Sequence, residues 1–564
     1  MSARRVCGLV VAVLTLCGCA AIPHTGPVTE VVDDSRPGQS TVRYSPALPV
    51  DGASPTDIVR GYLDAMLAYP MSTRTAMAFL TPDAAERWRP QAGLTVYELP
   101  RFPQGAGSPA ERQQSTPPGA VTVTFDEHAR LGPAGRYTVG RGDRSLTFHL
   151  EQVDGQWRIT DPRDGLMVTS KFFDDYYRTF SVYFFDRTGT RLTSVPVHLP
   201  VDDRLAAALV ASLAQGPADD HLQTFLPPAD RLRPTVPLVD GDADVGFTGV
   251  DRDDIDIDRL AVQVAWTLRQ VPSLSGFRLS VDAQPLTEPD VLSAATTGER
   301  YQSSGSLTSA FGLRGDGVVL LDGQLVTPLD GPWGTDVKGA RSVAVSKRAV
   351  ALLNEARSTV TVAELDGSPI VEVPGSRFLT PVVDADGQFW LVDDDDGRPR
   401  VRVVDGDEVT TLDAAGLANL PLTAFDIAPD GVRYLVGVGS GQDATIRVGA
   451  VVRSDKDVVT ALTRPAQPNS AVRGRSPVWS SGMQFSFLTA SGRIGSLLID
   501  GAAGETVDRA VLPGIELTRL AVSSSRDGAG YLTTAEDQLW FKESTGTWRF
   551  VDSDEAVHSV DFGP

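Results

Sequence analysis

Apolar positions along the first half of the chain follow two periods. Between residues 51 and 170 they first recur three and four residues apart, which predicts a helix, at Ile58, Val59, Tyr62, Leu63, Met66 and Leu67. Ser54-Pro55 precedes this helix and Thr81-Pro82 precedes a second, each as an N-cap followed by proline. Three β-rich runs follow, at 121–125, 145–150 and 157–160. The pattern predicts an α+β domain with helices first and a curved antiparallel sheet after them.

Residues 171–295 return to a mixed pattern. Apolar runs at 181–186, 192–197 and 276–281 predict strands. Between them, Asp202 and Asp203 are expected to cap one helix, and a second helix follows. The apolar faces of the two helices are formed by Leu205, Leu209 and Leu213, and by Leu260, Ala261, Val264, Ala265 and Leu268. A second α+β domain is predicted.

From residue 296 a β-rich unit repeats. Each copy is an apolar strand, a turn with glycine and a second strand, and the glycines are 387, 431, 482 and 528, which lie 44, 51 and 46 residues apart. A degenerate copy begins at 342–346, with Ala349 in the glycine position, and the runs 317–321 and 538–541 are expected to complete another. Strand repeats of about 40–50 residues indicate propeller blades. We expect five to six blades, with glycine at the turns because φ is positive there.

The N-terminus has the pattern of a lipoprotein signal. Arg4 and Arg5 precede an apolar run at 6–16, which is shorter than the ~20 residues that span a bilayer. Leu16-Cys17-Gly18-Cys19 follows and matches the bacterial lipobox, apart from Cys17 in place of the usual small residue. We predict cleavage of residues 1–18, an N-palmitoyl and S-diacylglycerol modification on Cys19, and a Pro/Gly-rich tether over 19–50. An ordinary secretory signal cleaved nearby is the alternative.

Charge and cysteine content narrow the function classes. The chain has 51 basic and 72 acidic residues, a net charge of −21 that becomes −23 when residues 1–18, with Arg4 and Arg5, are removed. So acidic a surface is repelled by nucleic acid and by anionic lipid headgroups. All three cysteines lie within the first nineteen residues, so the mature chain has no disulfide. Its location is expected to be the extracytoplasmic face of the cell membrane, held by lipid alone.

Motifs for catalysis or cofactor binding are missing from the sequence. There is no Gly-x-Ser-x-Gly elbow and no phosphate-binding loop, and 437–441 misses the elbow by one position. Six histidines are scattered without metal-ligand spacing, at His24, His128, His149, His198, His221 and His558. The sequence therefore predicts a protein that is not an enzyme and has no cofactor, catalytic residue or metal site.

Acidic clusters only partly imitate calcium loops. Asp240, Asp242 and Asp244 have Val245 where the loop needs glycine, and the set at 254, 256 and 258 has Arg259 there. The run at 393–396 is interpreted as a solvated turn. Paired carboxylates for glycoside hydrolysis stay open, because sequence gives no distances.

Two regions and the chain as a whole resemble known families. Residues 51–170 are similar to NTF2-like cones, and residues 171–295, with Gln215-Gly216-Pro217 ending the first helix and Phe225-Leu226-Pro227 after it, resemble GerMN domains. The lipobox, tether, two α+β domains and propeller, together with 44–50 and 57–66, resemble the actinobacterial LpqB lipoprotein family. The resemblance implies an accessory of the MtrAB two-component system that acts on the extracytoplasmic part of the sensor kinase MtrB and affects the cell envelope and division.

Two other functions remain as alternatives. One is a cell-wall glycan-binding protein or a propeller glycosidase, and the glycosidase predicts an acid-lined funnel whose carboxyl groups have raised pKa values. The kinase-binding function predicts an apolar or aromatic patch instead, for which Trp390, Trp479, Trp540 and Trp548 are candidates, although packing inside blades is their more common role. A passive envelope scaffold would need neither.

Overall fold

The computed structural model describes residues 44–102, 119–233, 235–272, 274–301, 307–395, 397–440, 444–468, 472–504, 515–524, 528–543, 546–553 and 555–564. Cys19, the expected signal peptide and most of the expected tether lie outside these residues. The described chain divides into two units. One contains the residues up to 90, with 99–125 and 145–169, and the other contains 91–98, 126–144 and 170–564. Within the described residues, no helix is long and apolar enough to cross a bilayer.

The first unit begins with the predicted helices. Helix α1 (Pro55–Ala65) starts after Ser54, whose Oγ accepts the Asp57 N–H at 3.2 Å, and α2 (Arg74–Met77) follows. Helix α3 (Pro82–Arg87) is capped in the same way by the Thr81 hydroxyl. A side-chain cap satisfies a backbone donor that the first turn leaves unpaired. The apolar face of α1 is buried, as the period predicts.

Five strands form the N-terminal sheet: β1 (Leu94–Tyr97), β2 (Ala120–Leu131), β3 (Tyr137–Val153), β4 (Gln156–Ile159) and β5 (Leu166–Thr169). Strands β2 and β3 are far longer than predicted. Alternate residues of β2 are buried along its whole length, from Val121 to Leu131, and all of them are apolar except Glu127, which pairs with Arg130 at 2.6 Å. Asp154 and Gly155, both with positive φ, form the tight turn between β3 and β4 that the Asp-Gly pair predicts.

The second α+β region comprises short α4 (Ser170–Tyr176), the long hairpin of β6 (Tyr177–Asp186) and β7 (Leu192–Pro200), and α5 (Leu205–Ala214). The remaining elements are β8 (Leu222–Gln223), β9 (Leu238–Val239), β10 (Asp242–Phe247), α6 (Ile257–Leu268), β11 (Gly276–Val281), β12 (Gln284–Pro285) and β13 (Val291–Ser293). Strands β10 and β11 pair in parallel, and the apolar stripes of α5 and α6 pack into one core with them.

One predicted cap in this region is wrong. Asp202 and Asp203 do not cap α5. The position before the helix is Arg204, which makes no side-chain cap, and the Asp202 carboxylate accepts the Arg204 N–H at 2.9 Å instead. Asp202 therefore orders the turn that leads into the helix, because a short carboxylate side chain bonds readily to nearby backbone N–H groups.

Six sheets follow and form the propeller. The blades are, in order, β14 (Ser309–Arg314), β15 (Gly317–Asp322) and β16 (Leu325–Pro328); β17 (Ala340–Val345), β18 (Ala349–Asn354), β19 (Thr359–Glu364) and β20 (Pro369–Pro374); β21 (Val382–Val383), β22 (Phe389–Asp395), β23 (Arg398–Asp405) and β24 (Glu408–Thr411); β25 (Leu422–Ile427), β26 (Arg433–Val438), β27 (Thr445–Arg453) and β28 (Val459–Leu462); β29 (Arg475–Trp479), β30 (Gln484–Leu488) and β31 (Ile494–Leu498); β32 (Leu517–Val522), β33 (Gly530–Thr534), β34 (Leu539–Lys542) and β35 (Trp548–Val551). We number them blades 1 to 6. The expected range of five to six blades is confirmed at its upper end.

The last strand of the chain closes the ring. Strand β36 (Val557–Gly563) pairs antiparallel with β14 and becomes the innermost strand of blade 1. It contacts the innermost strands of blades 2 and 6, β17 and β32, so the six inner strands form a complete circle. The expectation that 538–541 completes this blade is wrong, because that run is β34 of blade 6. Closure of the first blade by the last strand removes the free edges of an open ring.

The repeat glycines have two different physical reasons. Gly387, Gly431 and Gly528 have positive φ in the turn after an innermost strand, as expected. Gly482 does not belong with them. A Cβ there would lie 2.6 Å from Asp430 Oδ2 and 3.3 Å from Ser194 Oγ of β7. Glycine at this position allows the propeller to approach the second α+β region closely.

Candidate functional site at the domain junction

The acidic clusters that imitate calcium loops serve the fold. Asp242 pairs with Arg278 at 3.2 Å, and Asp244 pairs with Arg233 at 2.7 Å. Asp256 is the N-cap of α6 and accepts the Arg259 N–H. In the part of the chain that the structure describes, no group of three or more His, Cys, Asp or Glu side chains is arranged to hold a metal ion.

The interpretation of 393–396 as a solvated turn is wrong at its first residue. Asp393 lies inside β22 and is fully buried. Its Oδ1 accepts the N–H groups of Ser376 and Arg377 at 2.8 and 2.9 Å, and its Oδ2 lies within 3.3 Å of Arg400 and Arg402. A buried carboxylate needs such partners. Asp393 therefore fixes the loop that links blade 2 to blade 3.

The four candidate tryptophans separate into two pairs. Trp390 and Trp479 are buried between blades, and Trp540 and Trp548 are half-buried on blade 6. Trp390 donates its Nε1–H to Asp384 at 2.8 Å, and burial raises the pKa of that carboxyl to about 6. Blade packing thus accounts for the first pair, and the second pair leaves part of an aromatic surface exposed next to Phe550.

Polar side chains meet at the propeller axis. Arg519 of blade 6 donates to Asp561 Oδ2 of β36 at 3.0 Å and to Thr380 Oγ1, which precedes the first strand of blade 3, at 3.2 Å. One guanidinium therefore joins three blades across the axis. Asp426 of β25 accepts the Trp479 N–H of blade 5 at 2.8 Å. Burial raises the pKa of Asp426 to about 8, with a contribution from the nearby Asp561 carboxylate, whose own pKa burial also raises.

Asp426→Asn should remove a pH-dependent loss of stability. Because burial raises the folded-state pKa to about 8 and the ordinary pKa of an aspartate is 3.8, the folded protein holds a proton that the unfolded chain releases, so stability falls as pH rises from about 4 to 8. Urea unfolding should show Asn stabilising the protein by about 2–4 kcal/mol at pH 8 and by less at pH 5, since the side chain is partly exposed and solvent screens part of the effect. The exposed Asp366→Asn is the control. An identical pH dependence in wild type and Asp426→Asn would contradict this assignment.

Arg191 ties the second α+β region to two blades. It precedes β7, and its Nε and Nη2 donate to both oxygens of Asp457 in blade 4, at 2.9 and 2.7 Å. Nη2 also lies 2.8 Å from Asp386 of blade 3. Burial opposes the charge of this side chain, but the two carboxylates raise its pKa above the usual range. A fork-shaped pair of bonds fixes orientation as well as distance.

Arg433, the first residue of β26, makes a second link. Its Nη1 donates to Thr193 Oγ1 at 2.7 Å, to the Ser194 carbonyl at 3.1 Å and to the Gly482 carbonyl at 3.0 Å. The side chain is buried, and burial lowers its pKa. The neighbouring Val432 packs into the core of the second α+β region. Blades 4 and 5 are thus joined to that region through buried polar and apolar contacts.

His198 also contributes to the junction. It is buried on β7, with Nε2 3.1 Å from Asp500 of blade 5 and Nδ1 3.4 Å from the Thr179 hydroxyl. Sequence reasoning found no role for it, because its partner lies 302 residues away. Arg191, His198 and Arg433 were all missed for the same reason.

Two cavities adjoin the junction. A groove of about 740 Å³ lies over blades 2 and 3, with Val362 and Phe389 in its floor and Lys347, Glu364 and Asp366 at its rim. A cleft of about 410 Å³ lies between the second α+β region and blades 4 and 5. Both are on the face formed by the turns after the innermost strands. The junction therefore occupies part of this face of the propeller and leaves the sector over blades 2 and 3 open.

Comparison with known families covers all three folded regions. Residues 48–174 match the model of the N-terminal domain of lipoprotein LpqB, and residues 316–558 match the model of the LpqB beta-propeller domain. Between them, residues 181–287 match the Germane model, described as sporulation and spore germination. The propeller of Myceliophteria thermophila Cps50 (Swd1), a solved structure, aligns with 42% of this chain and 81% of its own at 15% identity, with a TM-score of only 0.28.

Curated relatives extend over most of the chain. Lipoprotein LpqB of Thermobifida fusca is 26% identical, over 78% of this chain and 80% of its own. Lipoprotein LpqB of Streptomyces coelicolor is 27% identical, over 91% of each. These relatives have the name of a lipoprotein and not that of an enzyme. With both LpqB-specific domains and the Germane domain in the family's order, this chain belongs to the LpqB lipoprotein family.

Proposed function

We propose that this protein binds the extracytoplasmic domain of a membrane sensor histidine kinase of the MtrB type and modulates the two-component system, without catalysing a reaction. The observation that carries the proposal is the junction. Arg191, Arg433 and His198 hold the Germane domain against blades 3 to 5. A rigid two-domain surface with open loops beside it suits protein recognition, because little order is lost when a partner binds.

The groove over blades 2 and 3 is the surface that best suits such a partner. It lies next to the junction and combines an apolar floor with a charged rim, the usual composition of a protein interface. The half-buried Trp540 and Trp548 with exposed Phe550 offer a second, aromatic patch. Both lie on blades of the closed ring.

A propeller glycosidase is the second candidate, and one observation favours it. Asp426 and Asp561 both have raised pKa values near the propeller axis, as an acid-lined funnel would. Their oxygens, however, accept backbone N–H groups of Trp479, Ile427 and Phe562, and Arg519 pairs with Asp561. Carboxylates used in this way stabilise the ring, so the binding function is the better supported one.

Membrane attachment through Cys19 belongs to the same proposal. Cys19→Ala should move the protein from the membrane fraction to the soluble fraction, because lipid on that residue would be the anchor. Mass spectrometry of the wild-type membrane form should find no peptide from residues 1–18. Cys17→Ala, which restores the usual small residue of the lipobox, is the control and should stay with the membrane. Unchanged fractionation of Cys19→Ala would contradict the anchor.

The binding test needs a chain that keeps the junction intact. A cut at residue 295 would separate Arg433 from Thr193 and Arg191 from Asp457, and would leave buried charges without partners. The appropriate sample is therefore the lipid-free chain from residue 20 to 564. Titration of this chain against the kinase's extracytoplasmic domain tests the proposal directly.

A further inference from the structure

The cleft between the Germane domain and blades 4 and 5, here called the junction cleft, has the dimensions of a small-molecule site. Its volume is about 410 Å³, within the range of about 300–1,000 Å³ of ligand pockets, which often lie at domain interfaces. Its walls are largely apolar, with Val195 and Pro196 from β7, Leu222 from β8, Val448 from β27 and Ile499 after β31. An apolar group of moderate size would lose its contact with water here.

Arg433 gives the junction cleft a cationic end. The side chain is only 3% exposed, yet it lines the cleft. Nη1 makes all three of its hydrogen bonds, so that Nε and Nη2 have no hydrogen-bond partner among the described residues. The carboxylate of Asp430 lies 3.9 Å from Nη1 and already accepts the Thr193 hydroxyl. A buried guanidinium with unused donors is a site for a carboxylate.

Asp219 supplies the opposite charge. It lines the same cleft, and its carboxylate is close enough to Arg433 to favour the charged guanidinium. Its Oδ1 accepts the His221 N–H at 2.9 Å, which holds the side chain in place, and the residue is half-buried. A cation and an anion beside an apolar wall match the three parts of one ligand class: a carboxylate, an ammonium group and an apolar side chain.

We propose that the junction cleft binds a free α-amino acid with an apolar side chain. The carboxylate lies on Arg433, the ammonium group on Asp219, and the side chain against Val195 and Ile499. This goes beyond the proposed binding of a kinase, and either proposal can fail without the other, since the ligand assay contains no kinase.

Calorimetric titration of the lipid-free chain, from residue 20 to 564, with leucine tests the site without a mutation. Leucine should bind, and leucinamide and 4-methylpentanoate, which lack the carboxylate and the ammonium group respectively, should each bind at least about tenfold more weakly, because a bond to a charged group is lost. Absence of leucine and phenylalanine binding up to about 10 mM, or equal affinity for leucine and leucinamide, would overturn the proposal.

Variants locate the ligand. Ala218 is exposed at the rim of the cleft, so Ala218→Trp should fill the cleft and abolish leucine binding without disturbing the core. Ala535→Trp, at an exposed alanine of blade 6, is the matched control and should bind leucine as wild type does. Asp219→Asn should weaken leucine about tenfold and leave 4-methylpentanoate unchanged. Full leucine affinity in Ala218→Trp would show that the ligand binds elsewhere and would overturn the proposal.

Discussion

Removal of residues 556–564 is expected to unfold the propeller. These residues contain β36, the innermost strand of blade 1 and the strand that links blade 1 to blades 2 and 6. The deletion takes Val557, Val560 and Phe562 from the core. At about 1.5–3 kcal/mol for each buried side chain, the loss is roughly 5–9 kcal/mol, and a typical domain has a total stability of only about 5–15 kcal/mol.

The truncated protein should be insoluble or aggregated, because the edge of β14 loses its hydrogen-bonded partner and β17 and β32 lose the strand that packs between them. Circular dichroism and size-exclusion chromatography measure this outcome. Removal of Pro564 alone, which lies beyond the last strand, is the control and should leave both measurements unchanged. A monomeric truncated protein with the unfolding temperature of the full chain would show that β36 does not close the ring.

In Arg433→Met, the Germane domain and the propeller should no longer unfold together. The substitution keeps most of the side-chain volume but leaves Thr193, the Ser194 carbonyl and the Gly482 carbonyl without their donor. Loss of one partner from a buried charged network costs about 3–5 kcal/mol. Denaturant unfolding should change from one transition to two, with the first at a lower concentration than in wild type.

Arg464→Met is the matched control for this variant. Arg464 also lines the junction cleft but is exposed. Its replacement should change stability by less than about 0.5 kcal/mol, as surface substitutions usually do. Equal effects of the two substitutions would contradict the assignment of Arg433 as the junction residue.

Local signals in the sequence predict the helices and strands well, but they do not predict which residues meet when those residues are far apart in sequence. Ser54 and Thr81 identify two helix starts because a cap and its helix are adjacent in sequence. The repeat glycines identify the inner strands of blades 3 to 6, and the degenerate copy at 342–346 identifies that of blade 2. Strand β36 was missed because no turn and no second strand of its own follow it, so it does not have the pattern of a repeat.

The residues of the junction cannot be predicted from the sequence for a related reason. Arg191 and Asp457 are 266 residues apart, and Arg433 and Thr193 are 240 apart. No sequence motif marks either pair. The chain has 51 basic residues, and the residues next to Arg191 or Arg433 in sequence do not set these two apart from the others. Gly482 is the one repeat glycine that the junction explains. It holds the repeat position without a positive φ, because a side chain would collide with Asp430 and Ser194. Only the structure distinguishes this glycine from the other three.

The most direct test of the proposed function is a titration of the immobilised extracytoplasmic domain of the kinase with the lipid-free chain from residue 20 to 564. We expect saturable binding with a Kd of about 10 μM or tighter. Ile370 of β20 also lines the groove over blades 2 and 3. A charge placed in the groove by Ile370→Asp, or in the aromatic patch by Phe550→Asp, should show which surface is used, with Ala535→Asp as the control. No binding up to about 100 μM, with unchanged kinase output in a strain lacking the protein, would contradict the account.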